Sequence, residues 1–154
     1  MMHTKVADFN GRAVYFTAAK HITLAVSALL DSYSSSSVLF YFGKEAFSDT
    51  DTERLFDSLL SRQPLAVTVA GKYAERYFDM LLKVQSRLDS KAHTMTYRID
   101  DDDLEEVVWK FLNTSFPDDE RFDDWKAYCV LSFEREQLFQ HSLVRSIETF
   151  IEKH

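Results

Sequence analysis

Val38-Leu39-Phe40-Tyr41-Phe42-Gly43, VLFYFG, is an apolar run with no polar alternation, closed by glycine. A strand with one wet face alternates; a strand covered on both faces does not. The run is too short for a buried helix, and its aromatic and branched side chains favour extended backbone. It therefore reads as a central strand, and a central strand needs a helical layer above and below.

The surrounding chain supplies both. Downstream, Leu65–Gly71 (LAVTVAG), Thr94–Ile99 (TMTYRI) and Ala127–Phe133 (AYCVLSF) read as further strands, and Ala13–Phe16 as a short extra one. Helical spacing appears between them. After Ser48-Asp49-Thr50-Asp51, Leu55, Phe56, Leu59 and Leu60 form a stripe that Pro64 ends. Tyr73, Tyr77, Phe78, Leu81, Leu82 and Leu88 line a second helix. Leu104, Val107, Val108, Phe111 and Leu112 line a third. A closing helix over 134–153 turns Phe139, Leu143, Ile147, Phe150 and Ile151 inward, and an early one over 18–30, capped at Thr17, carries ITLAVSALL. Strands alternating with helices predict an α/β fold. The expectation is one domain over 1–154, a three-layer sandwich around a mostly parallel sheet of four strands with room for a fifth, Rossmann-like or flavodoxin-like. Residues 1–12, with the turn signal Asn10-Gly11, are expected as a flexible lead-in.

Composition narrows the function. The 154 residues carry a net charge of −7, and the charge is uneven: Asp100 to Asp124 holds eleven acids against Lys110 and Arg121, a net −9. Such a field repels a phosphate backbone and attracts basic proteins. Nucleic acid is therefore not expected as a partner, and no run is long enough for a membrane span. The single cysteine, Cys129, allows no internal disulfide and suits a reducing cytoplasm.

Candidate chemistry is sparse. Asp100-Asp101-Asp102-Asp103 follow the third apolar strand, where α/β folds often place ligands. Two or three of these carboxylates could hold Mg²⁺ with waters and a substrate phosphate, but neighbouring helical side chains diverge, so all four cannot converge on one ion. Asp102 with Glu105, or Asp103 with Glu106, has the spacing of a capping box, so a helix start on a solvated face is the preferred reading. Gly43-Lys44 and Gly71-Lys72 each follow a strand like a fragment of a phosphate loop, without the glycine pattern that builds the cradle. Tyr73 and Arg76 stand close enough in sequence to reach an anion there. Cys129 lies inside a strand with no basic neighbour, as a packing thiol would. The histidines have no ligand spacing, and no nucleophile elbow occurs.

HTMTYRIDDDDLEEVVWKFL and the later FEREQL resemble an uncharacterised bacterial domain family of unknown function. Met95, Thr96, Asp101, Asp102, Leu104, Glu105, Glu106, Trp109, Phe111 and Glu134-Arg135-Glu136 carry the likeness, with Gly71 and Asp79 upstream. Tyr97-Arg98 stand where that family tends to have Trp-His; Ala70 and Tyr73 replace its Trp and Cys. The resemblance implies a small α/β fold and no particular activity.

The leading expectation is a non-catalytic cytoplasmic module, of the immunity or inhibitor kind, that binds a protein partner through acids. The partner is expected to be basic, and the binding residues to be Asp118, Asp119, Asp123, Asp124 and Trp125. No catalytic residue, metal or cofactor is expected. The alternative is a binder of a nucleotide or other small molecule, or a hydrolase, using Gly43, Lys44, Gly71, Lys72, Asp100 and Asp101. Homodimerisation through exposed aromatics is compatible with either.

Overall fold

The computed structural model describes residues 4–18, 33–42, 47–88, 93–101, 103–133 and 137–153. The helix expected over 18–30, Gly43, Lys44, Asp102 and the Glu134-Arg135-Glu136 step lie outside these, apart from Ala18, which ends a strand.

Among the described residues six strands form one mixed sheet: β1 (Thr4–Phe9), β2 (Arg12–Ala18), β3 (Ser36–Phe42), β4 (Ala66–Gly71), β5 (Met95–Ile99) and β6 (Ala127–Ser132), in the order β1-β2-β6-β3-β4-β5. Every neighbouring pair is parallel except β1 with β2. The count of four, or five, is therefore corrected to six. The strand not foreseen is β1, a half-exposed edge whose TKVADF sequence lacks an apolar run and whose pairing shifts register between Lys5 and Ala7. It turns into β2 through Asn10 (φ 52°) and Gly11 (φ 75°), the paired left-handed residues of a tight hairpin turn. Thr4–Phe9 is thus a strand of the sheet, joined to β2 by the Asn10-Gly11 turn, rather than a loose lead-in.

Strands β3 and β6 are buried along their whole length. Helices α1 (Asp49–Leu60) and α2 (Ala74–Arg87) follow β3 and β4 on one face. There Leu55, Phe56, Leu59, Tyr77, Leu81 and Val84 meet Phe40, Phe42, Val69 and Leu131. Helices α3 (Leu104–Thr114) and α4 (Gln137–Lys153) cover the other face, where Val107, Val108, Phe111, Leu143 and Ile147 meet Val14, Leu39, Tyr41 and Val130. This is the expected three-layer arrangement. Right-handed crossovers explain it: β3 to β4 to β5 steps one way across the sheet, and β5 to β6 steps back, so α3 lies opposite α1 and α2.

Aromatic packing organises the α1/α2 side. Phe42 stacks on Tyr77 at 3.8 Å between centroids and on Phe133 at 5.1 Å. The Tyr77 hydroxyl accepts from the Phe47 backbone N–H at 3.1 Å, so a core ring also fixes the approach to α1. One expected stripe residue differs: Leu82 is 42% exposed, and Ala74 and Val84 take the inward positions of α2.

The close approach of β3 and β4 depends on Gly71. It pairs with Phe42 at φ 121°, and an added Cβ would fall 1.8 Å from the Phe42 carbonyl oxygen. No rotamer relieves a backbone clash. Gly71→Ala is expected to destabilise the fold by about 2 kcal/mol or more, read as a lower denaturant midpoint. An unchanged midpoint would mean that the strand ends separate without cost.

Candidate functional site

The acidic segment does not form one continuous cluster. Its first acids leave β5 at the carboxyl end of the sheet; Asp118 to Asp124 lie at the amino end, across the length of α3. Each group has its own local role.

At the carboxyl end, Asp103 caps α3, its carboxylate accepting from the Glu105 N–H at 3.0 Å. The helix start is therefore set at the second of the two capping positions expected. Asp100 pairs with Arg98 at 3.0 Å, and Asp101 pairs with Lys110. The Asp101 hydrogen bond is the main influence raising the Lys110 ammonium above its ordinary range. Asp100, Asp101 and Asp103 thus point to different partners, and among the described residues no group of three His, Cys, Asp or Glu is placed to hold a metal ion.

At the amino end, the chain from Ser115 to Trp125 is pinned at several points. Ser37 Oγ donates to the Ser115 carbonyl at 2.8 Å, and Thr68 Oγ1 to Ser115 Oγ at 2.7 Å, both buried. Tyr97 donates to the Phe116 carbonyl at 2.6 Å. Asp118 caps a 3-10 helix over Asp119–Asp124. Arg121 donates to the carbonyls of Gln63, Pro64 and His93, joining the loops that precede β4 and β5. Trp125 is buried at 5% exposure, with its indole N–H on the Ala127 carbonyl at 3.0 Å. Arg12 lies 4.0 Å from the Trp125 ring centroid and donates to the Trp125 carbonyl.

Trp125 is therefore a keystone rather than an exposed anchor. Phe116 and Phe122 pack edge-on against it at 5.7 and 5.5 Å, yet each remains about two-fifths exposed. Around them Asp119, Glu120, Asp123 and Asp124 face solvent. Among the described residues, the large apolar side chains left exposed are Leu82, Trp109, Phe116 and Phe122, and the last three lie in the acidic segment. Burial of Trp125 beside Asp123-Asp124 had no local signal. Exposure of the two phenylalanines depends on anchors distant in sequence.

The phosphate-loop reading fares differently at its two places. Gly43 and Lys44 are outside the described residues. Gly71 serves the strand approach, while Lys72 is exposed with its ammonium 5.5 Å from the Tyr73 ring centroid. Beside it an open cavity of about 520 Å³ is lined by Asp49, Lys72, Tyr73, Arg76, Asp79 and Lys83 among others. Arg76 is already engaged there by Asp49 at 2.8 Å. Asp100 and Asp101 do not line that cavity.

No family model matches the chain, and no curated protein does. The resemblance to an uncharacterised family thus has no matching model behind it. Among solved structures, the glutamyl-tRNA reductase from Methanopyrus kandleri aligns over 89% of this chain and 41% of its own, at 13% identity and a TM-score of 0.33. The chain spans well under half of that structure, and likeness at this level carries no functional argument. No helix among the described residues is long and apolar enough to cross a membrane.

Cys129 is 2% exposed, and burial pushes its thiol up to about 11, the Ser36 hydroxyl contact opposing this weakly. Two outcomes are expected. Thiol reagents react with it only after unfolding, and stability declines as pH rises from about 9 to about 11. In that window the unfolded chain has lost a proton that the fold retains, which costs on the order of 2 kcal/mol by its upper end. Buried tyrosines act in the same direction, so Cys129→Ala should flatten only part of the profile; no change in slope would disprove the assignment.

Proposed function

We propose that the protein is a non-catalytic binding module of the inhibitor or immunity kind, acting in a reducing cytoplasm. It would capture a basic protein through the surface around Phe116 and Phe122. The observation that carries this reading is the combination at the amino end of the sheet: two half-exposed rings on a backbone held at Ser115, Phe116, Arg121 and Trp125, surrounded by exposed acids. Rings of this kind supply hot-spot area, and little ordering entropy remains to be lost when the backbone is already fixed. The surrounding carboxylates would speed encounter with a positive partner and disfavour negative ones. Asp119, Asp123 and Asp124 would act at the rim, Asp118 by capping the 3-10 helix, and Trp125 by supporting both rings from beneath.

Two surface variants test this. Phe116→Ala with Phe122→Ala, and Asp119→Lys with Asp123→Lys and Asp124→Lys, leave the Asp118 cap in place. Each is expected to weaken capture of a basic binding protein by about tenfold or more, roughly 1.4 kcal/mol. The charge-reversed variant should nearly keep the melting temperature, while the ring variant, which uncovers part of Trp125, should lower it by several degrees and still fold. Binding by the unmodified protein should weaken as salt rises. If both variants retain the same bound proteins at the same strength, the reading fails.

A second reading is supported by the cavity beside Lys72. Tyr73, at the N-terminus of α2 there, makes no side-chain cap, and the first-turn N–H groups with Lys72 would suit an anionic group of a nucleotide or other small molecule, against the opposing charge of Asp49, Glu75 and Asp79. A nucleotide panel with Mg²⁺ should then raise the melting temperature by several degrees at millimolar ligand. No shift with any nucleotide counts against this reading and leaves the first intact.

A further inference from the structure

Trp109 belongs neither to the core nor to the Phe116–Phe122 surface. Helix α3 turns Val107, Val108, Phe111 and Leu112 to the sheet, and this rotation leaves Trp109 45% exposed. The indole instead lines a cleft of about 200 Å³ between α3 and α4, with Glu105 and Glu106 on its own helix and Thr149, Phe150 and Lys153 across from it. Both helices leave the carboxyl end of the sheet and run towards its amino end, where Leu112 reaches Tyr128 and Phe150 reaches Phe9, so α3 and α4 lie parallel here.

We propose that this cleft is a seat for a cationic side chain, an arginine or lysine presented by the basic partner. Three features select a cation. An indole face is the strongest aromatic surface for a guanidinium or ammonium group. Glu105 and Glu106 are exposed, and neither forms a salt bridge among the described residues, so each can accept charge-assisted hydrogen bonds. The C-terminal end of α4 adds partial negative charge from its last carbonyls. Lys153, the positive N-terminal end of α3 and Lys110, which is coupled to Glu106, oppose this; the formal charge of the lining itself is −1. The size agrees: small-molecule sites run roughly 300–1,000 Å³, whereas this cleft suits the end of one long side chain. A phosphate or carboxylate ligand would meet two carboxylates at the entrance.

The identity of the occupant rests on the reading of a basic partner, so the experiment must separate the two. The protein has two tryptophans, Trp109 exposed and Trp125 buried, and hence two indole N–H signals in a ¹⁵N spectrum. Titration with a blocked tri-arginine peptide should shift the Trp109 signal saturably and leave Trp125 in place. A blocked tri-glutamine peptide should shift neither. Glu105→Gln with Glu106→Gln should weaken the tri-arginine response by about tenfold or more. An immobile Trp109 signal at millimolar tri-arginine, an equal response to tri-glutamine, or an unchanged response in the double variant would each overturn the seat. Loss of the seat while the Phe116 and Phe122 variants still abolish capture would leave the binding module standing. A working seat with capture indifferent to those variants would remove the amino-end surface instead.

Discussion

Burial of β3 and β6 on both faces is the constraint from which the architecture follows. A strand without a wet face must be hydrogen-bonded along both edges and covered by side chains above and below. Strands β2 and β4 supply the outer edges of this pair, and the α1/α2 and α3/α4 layers supply the cover. The crossover rule then places α3 on the face opposite α1 and α2, and α3 carries Trp109 and leads into the Phe116–Trp125 loop. The candidate binding surfaces are outer products of an inner requirement.

Much of this was legible in the letters. Val38–Gly43 and Leu65–Gly71 announce covered strands because an unbroken apolar stretch of that length fits little besides a strand enclosed above and below. Ser48-Asp49-Thr50-Asp51 and the Asp102-Asp103 step announce helix starts, because a short oxygen-bearing side chain before an apolar stripe caps free N–H groups; the structure places the caps at Ser48 and Asp103. Strand β1 was not legible: an edge strand with exposed residues needs no apolar pattern, and its pairing depends on β2 more than on its own composition. Strand order was not legible either, since nothing local in Ala127–Ser132 says that it enters between β2 and β3.

The candidate sites divide along the same line. Local chemistry was readable: a capping aspartate at Asp102 or Asp103, of which the structure uses Asp103, and Cys129 as a packed thiol. Relations between distant segments were not. The acids read as one field because they are adjacent in sequence, but an 11-residue helix separates them into two ends of the molecule. Trp125 is inside and Phe122 is outside because Arg12, Gln63, Pro64 and His93 converge on that loop from elsewhere in the chain.

The late entry of β6 also governs how the molecule is made. During synthesis β2 and β3 emerge long before the strand that separates them; β2 has β1 and β3 has β4 on one edge, but the facing edge of each stays unpaired until Ala127–Ser132 arrives. A growing chain therefore carries a one-strand gap through most of its translation. The long loops that must close before β6 can dock favour slow, late consolidation, and any passing extended segment could occupy the vacancy first.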